Sequence, residues 1–164
     1  MKLKILPAIL LLICFTSCAQ TYYVVRHAEK AAPDATMSSD VPLSAQGEQR
    51  AKALKELLND KKIEAIYSTN TIRTKSTAAP TAAHFGLNVE TYGPRPDSAF
   101  IAQLRALKKN TLIIGHSNTV DDIVNLLTGT KHVPADLPDS EYNKLYIITI
   151  TGNKVEFKEE AMIR

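Results

Sequence analysis

Cysteine is nearly missing from this chain. Of 164 residues only Cys14 and Cys18 carry a thiol, and both lie near the start. A disulfide framework is thereby excluded, and an apolar core has to hold the molecule. A long apolar run is missing too: residues 5–15, interrupted by Pro7, fall short of the about 20 residues a membrane-spanning helix needs. Positive charge is in only slight excess, with 20 Lys and Arg against 17 Asp and Glu. Without Lys2 and Lys4 that excess shrinks from three to one, and no basic stripe marks a nucleic-acid surface. Paired His or carboxylate spacings of the kind that bind metals are absent, so neither a metal nor another cofactor is expected. Repeats and low-complexity tracts are absent as well.

What is present begins with a segment that reads as an export signal. Lys2 and Lys4 precede the apolar stretch, and the small residues Thr16-Ser17-Cys18 close it. Phe15-Thr16-Ser17-Cys18 resembles a bacterial lipobox, with Phe15 standing where leucine is usual. The expectation is a signal peptide over 1–17, a lipidated Cys18 as first mature residue, and one domain over 18–164. Such a protein would sit in the cell envelope on a lipid anchor, facing the periplasm or the exterior.

The domain alternates strands and helices. Tyr22-Tyr23-Val24-Val25, 63–67, 87–92 and 111–114 read as strands, and 145–150 with 155–158 as a hairpin around Gly152-Asn153. Ser44 can cap a helix carrying Ala51, Leu54, Leu57 and Leu58 on one face. Further helices are expected at 72–85 through Pro80 to Gly86, at 98–108, and at 118–127 before Gly129. Residues 31–42 form an irregular loop. This order predicts a three-layer α/β/α sandwich, with a mostly parallel central sheet and a C-terminal antiparallel hairpin.

Ligands of such sheets gather beyond the carboxyl ends of the strands. Arg26-His27 follows the first strand, Arg73 the second, and Gly115-His116-Ser117-Asn118 the fourth. Two guanidinium forks, two imidazoles and the N–H groups of a helix start suit a phosphoryl group. A histidine attacks phosphorus only when neutral, and neighbouring arginines favour the neutral ring.

At these residues the chain resembles the histidine phosphatase superfamily, whose members include the cofactor-dependent phosphoglycerate mutases. Arg26-His27-Ala28-Glu29 is similar to the family's Arg-His-Gly-Glu opening, and Leu43-Ser44-Ala45-Gln46-Gly47 to its Leu-Thr-x-x-Gly segment. Ser68 to Arg73 resembles the second-arginine segment, and Gly115 to Asn118 the second-histidine segment. The resemblance implies a phosphatase acting on phosphomonoesters, with His27 as nucleophile and a phosphohistidine intermediate. Arg26, Arg73, His116, Ser117 and Asn118 would bind the phosphoryl group of a small phosphorylated substrate. Pro33 stands where mutases carry an asparagine, and the mutases' long helical insertion is missing, which points to the minimal phosphohistidine-phosphatase type rather than a mutase. The family's proton donor comes from the loop between the second arginine and second histidine, which implies Asp97. That residue also suits a helix cap. Glu29 is the reserve acid and, more simply, an ion-pair partner for an arginine. Two rivals remain: a non-catalytic lipoprotein that binds phosphoryl ligands, and a serine hydrolase using Ser117 in an imperfect Gly-x-Ser-x-Gly elbow.

Overall fold

The computed structural model describes residues 19–32 and 40–162. The expected signal segment, with Cys14, and also Cys18 and Pro33 lie outside the described residues. Ten elements follow in order: β1 (Gln20–Arg26), α1 (Ala45–Leu58), β2 (Ala65–Ser68), α2 (Ile72–Phe85), β3 (Val89–Thr91), α3 (Ser98–Leu107), β4 (Thr111–Gly115), α4 (Val120–Thr128), β5 (Lys144–Thr151) and β6 (Lys154–Ala161).

The helix boundaries come from local chemistry. Ser44 accepts a hydrogen bond from Gly47 N–H, and Thr71 does the same for Thr74. Gly86, at φ 65°, ends α2 in the left-handed conformation that glycine adopts without strain. Pro80 is carried inside α2 without ending it. The expected helix start at 118 falls later, at Val120. Thr119 turns its hydroxyl back to the His116 N–H, 2.8 Å away, and residues 117–118 form a turn.

The six strands form one sheet in the order β3-β2-β4-β1-β5-β6. The first four are mutually parallel; β5 runs antiparallel to β1, and β6 to β5. One face packs Leu54 and Leu58 of α1 and Ala78 and Ala82 of α2 against Val25, Ile66 and Ile114. The other packs Phe100, Ile101 and Leu104 of α3 and Ile123, Val124 and Leu127 of α4 against Val24 and Ile113. Both sides of β1 and β4 are thus covered by helices, giving the three-layer α/β/α arrangement. Among the described residues no helix is long and apolar enough to cross a membrane.

Candidate active site

Strand pairing brings the two histidines together. In the β1–β4 register Arg26 lies opposite Gly115, so His27 and His116 leave the sheet side by side. His27 N–H donates to Gly115 O at 2.9 Å, and the two imidazoles meet edge to face with centroids 5.3 Å apart. Gly115 is required at this crossing: a Cβ there would lie 2.8 Å from the Thr119 hydroxyl that holds the His116 amide.

The His27 ring is buried, 4 % exposed. Its Nδ1 lies 2.8 Å from Ala28 O, and a carbonyl can only accept, so Nδ1 carries the proton. Nε2 therefore keeps its lone pair, and no described residue donates to it. Burial, chiefly, lowers the pKa of His27 to about 3; the Ala28 hydrogen bond opposes this, while His116, Arg73 and Arg26 add to it. Cations were the cause expected from the sequence, yet removal from water is the larger effect. His116 is lowered to about 4, again by burial first, then by Arg73 and Arg26. Both rings are neutral at pH 7.

His116 is fixed at both nitrogens. Arg73 Nη2 approaches Nδ1 at 3.4 Å, and Nε2 lies 2.7 Å from Thr69 Oγ1. With Arg73 as donor on one side, Nε2 holds the proton and donates to Thr69. Arg73 also pairs through Nη1 with Asp40 at 3.3 Å, and Asp40 accepts from Ile72 N–H at the start of α2. Thr69 and Asp40 carried no assigned role in the sequence reading. Thr69 lay inside the second-arginine segment, which was the available signal for it.

Arg26 is 5 % exposed and is drawn toward the loop before β5. Its Nη1 donates to Pro138 O at 2.7 Å, with Asp139 O and Glu141 O at 3.3 and 3.2 Å. Its guanidinium carbon stands 4.2 Å from the centre of the Tyr142 ring, a cation–π contact. The same tyrosine ring lies 6.0 Å from His27. Sequence reasoning missed Tyr142, because it sits in an irregular stretch far along the chain. Arg26 Nε is buried with no hydrogen-bond partner. A guanidinium N–H in that condition is costly unless an acceptor fills the place.

Ser117 and Asn118 form the turn after His116. No described residue accepts a hydrogen bond from either N–H, so both donors are open to an anion. The Ser117 hydroxyl is bonded to neither histidine; His116 Nε2 is spent on Thr69. Asp97 is exposed and caps α3, accepting from Phe100 N–H at 2.9 Å. Glu29 forms a two-pronged ion pair with Arg50, at 2.5–2.9 Å. Among the described residues no group of three or more His, Cys, Asp or Glu is arranged to hold a metal ion.

Residues 22–93, which include Arg26, His27 and Arg73, match the family model of the histidine phosphatase superfamily (branch 1). The fold is similar to the protein histidine phosphatase SixA solved with tungstate, at TM-score 0.69 and 21 % identity, covering 87 % of this chain and 97 % of that one. It is also similar to the mycobacterial glucosyl-3-phosphoglycerate phosphatase Rv2419c, at TM-score 0.65 and 12 % identity over 87 % and 98 %. Phosphoglycerate mutase from Bacillus anthracis str. Sterne is a third, at TM-score 0.64 and 14 % identity over 90 % and 95 %. Comparison with curated proteins by sequence gave no match. Residues 22–93 thus match the histidine phosphatase superfamily model, and the described domain has the fold of these solved structures.

Proposed function

We propose that the chain is a phosphatase that hydrolyses phosphomonoesters through a phosphohistidine on His27. The observation that carries this reading is the state of the His27 ring: Nδ1–H is held by Ala28 O, leaving a neutral Nε2 beside Arg73 and Arg26. Nε2 attacks phosphorus, the P–O ester bond breaks, and the departing oxygen takes a proton. Water then attacks the phosphorus of the phosphohistidine, releasing inorganic phosphate and restoring the ring. Arg26 Nε, Arg73 and the N–H groups of Ser117 and Asn118 are the donors available to the phosphoryl oxygens. No metal is assigned a part.

Asp97 is our candidate for the proton donor, on its position between the second arginine and the second histidine. Asp97→Asn separates its two roles, since asparagine caps a helix about as well as aspartate but cannot donate as an acid. In chelator, the variant is expected to hydrolyse p-nitrophenyl phosphate within about twofold of the parent. Its kcat on alkyl phosphates, whose leaving groups need a proton, should fall roughly 100-fold. Equal rates on the alkyl esters would remove Asp97 from the mechanism.

We further propose that Cys18 is lipidated and anchors the enzyme at the cell envelope, on the strength of the apolar segment and Phe15-Thr16-Ser17-Cys18. In cells the full chain should sediment with membranes and a Cys18→Ser variant should not; equal sedimentation of the two refutes the anchor.

A further inference from the structure

A second concavity adjoins His27. The carboxyl end of β1, the amino end of β5 and the carboxyl end of β6 lie at one edge of the sheet, because Val25 pairs with Leu145 and Lys144 with Ala161. Between that edge and the first turns of α1 lies a cleft of about 520 Å³, lined by Glu29, Gln46, Arg50, Ser140, Tyr142 and Asn143 together with the apolar Ala161 and Met162. Its size falls within the range of small-molecule sites. Tyr142 is the shared wall: its ring lines the cleft and also packs beside His27 and Arg26.

The walls are set by backbone contacts. Ser44 N–H donates to Glu29 O at 2.9 Å, and a Cβ on Gly47 would come within 2.1 Å of the same oxygen. Only glycine lets α1 start this close to the segment after His27. Opposite, Met162 N–H donates to Asn143 O at 2.7 Å, tying the end of β6 to the loop that carries Tyr142.

The lining chemistry selects an occupant. Glu29 and Arg50 cancel each other in a largely buried pair, so the cleft offers no net charge to a second phosphate or a carboxylate. Beside the apolar Ala161 and Met162, the larger part of what remains is polar: amides from Gln46 and Asn143, a hydroxyl from Ser140, a phenol from Tyr142 and the Arg50 nitrogen not used by Glu29. An aryl or alkyl group there would strip water from these donors and acceptors without replacing it. A neutral group with many hydroxyls would pair with them.

We propose that this cleft is the leaving-group subsite and that the preferred substrates are monophosphates of sugars or polyols. The inference rests on the proposed role of His27 and adds the identity of the group that departs.

The test compares a hexose monophosphate and glycerol phosphate with p-nitrophenyl phosphate, on the parent and on Gln46→Leu and Asn143→Leu. Both residues are exposed, so neither change disturbs the core. Each variant is expected to lose roughly 10-fold in kcat/KM on the hexose ester, mainly through KM, as one or two hydrogen bonds are removed. Hydrolysis of p-nitrophenyl phosphate, whose leaving group offers these amides far fewer hydrogen bonds, should fall by much less than that of the hexose ester. Parallel losses on both esters, or no loss on either, would overturn the subsite and leave the phosphatase standing, as would a parent that favours the aryl ester by kcat/KM. A parent inactive on all three esters would overturn the phosphatase reading and this inference with it.

Discussion

Replacing His27 by alanine is expected to reduce turnover of p-nitrophenyl phosphate by roughly 10⁴-fold or more, because it removes the atom that forms the new bond in the proposed mechanism. Loss of rate alone would also follow from a damaged pocket, so a second readout is needed. The parent, mixed with phosphate-labelled substrate and quenched rapidly into alkali, should carry label on His27, since the P–N bond survives alkali and breaks in acid. His27→Ala should carry none, while far-UV circular dichroism and melting show it folded. Label on His116 in the parent, or a folded His27→Ala that keeps even a tenth of the rate, would refute the assignment. His116 is the competing imidazole on the same edge, and its two ring nitrogens are engaged by Arg73 and Thr69.

The second large effect concerns acid. Both histidines are held below the ordinary value of 6.5, His27 at about 3 and His116 at about 4. In the unfolded chain they titrate near 6.5, so between pH 6.5 and about 4 the unfolded state binds more protons than the folded one. Stability therefore falls as pH drops through that window. For His27 alone the full shift corresponds to at most about 5 kcal/mol at 1.36 kcal/mol per unit. His116 is more exposed to water and contributes less. His27→Asn removes the ring that resists protonation. Its unfolding free energy should drop clearly less than the parent's between pH 7 and pH 4.5, measured by urea denaturation at each pH. Identical drops would show that His27 protonates freely in the fold. For the proposed mechanism the corollary is that His27 stays neutral in mild acid, so an acid limb above about pH 4 would come from another group.

Much of this architecture was legible because its signals are local. Ser44 and Gly86 mark helix ends by chemistry acting within a few residues, and α2 runs from Ile72 to Phe85 as expected. His27, Arg73 and His116 were legible for a related reason: each follows a strand, and parallel strands point their ends the same way. The contacts made by Arg26 were not legible. They depend on β5 lying antiparallel beside β1 with Leu145 opposite Val25, which carries residues 138–142 over the guanidinium. No periodicity in that loop announces such an encounter. Glu29 was read as an arginine's partner, but the choice of Arg50 required the close seat of α1 on the segment after His27.

The position of β1 has a consequence for the order of folding. The first strand of the domain is a central one, and its neighbours β4 and β5 come from the later half of the chain. The Thr21 amide, for example, is satisfied by Asn110, 89 residues away. Pairings of such separation form late, after the entropy of closing long loops has been met. As the chain emerges from the ribosome, helices α1 and α2 can form early while His27 still lacks the partner strand that sets it beside His116. Turnover by the proposed mechanism would therefore report completion of the sheet, not the presence of any one element.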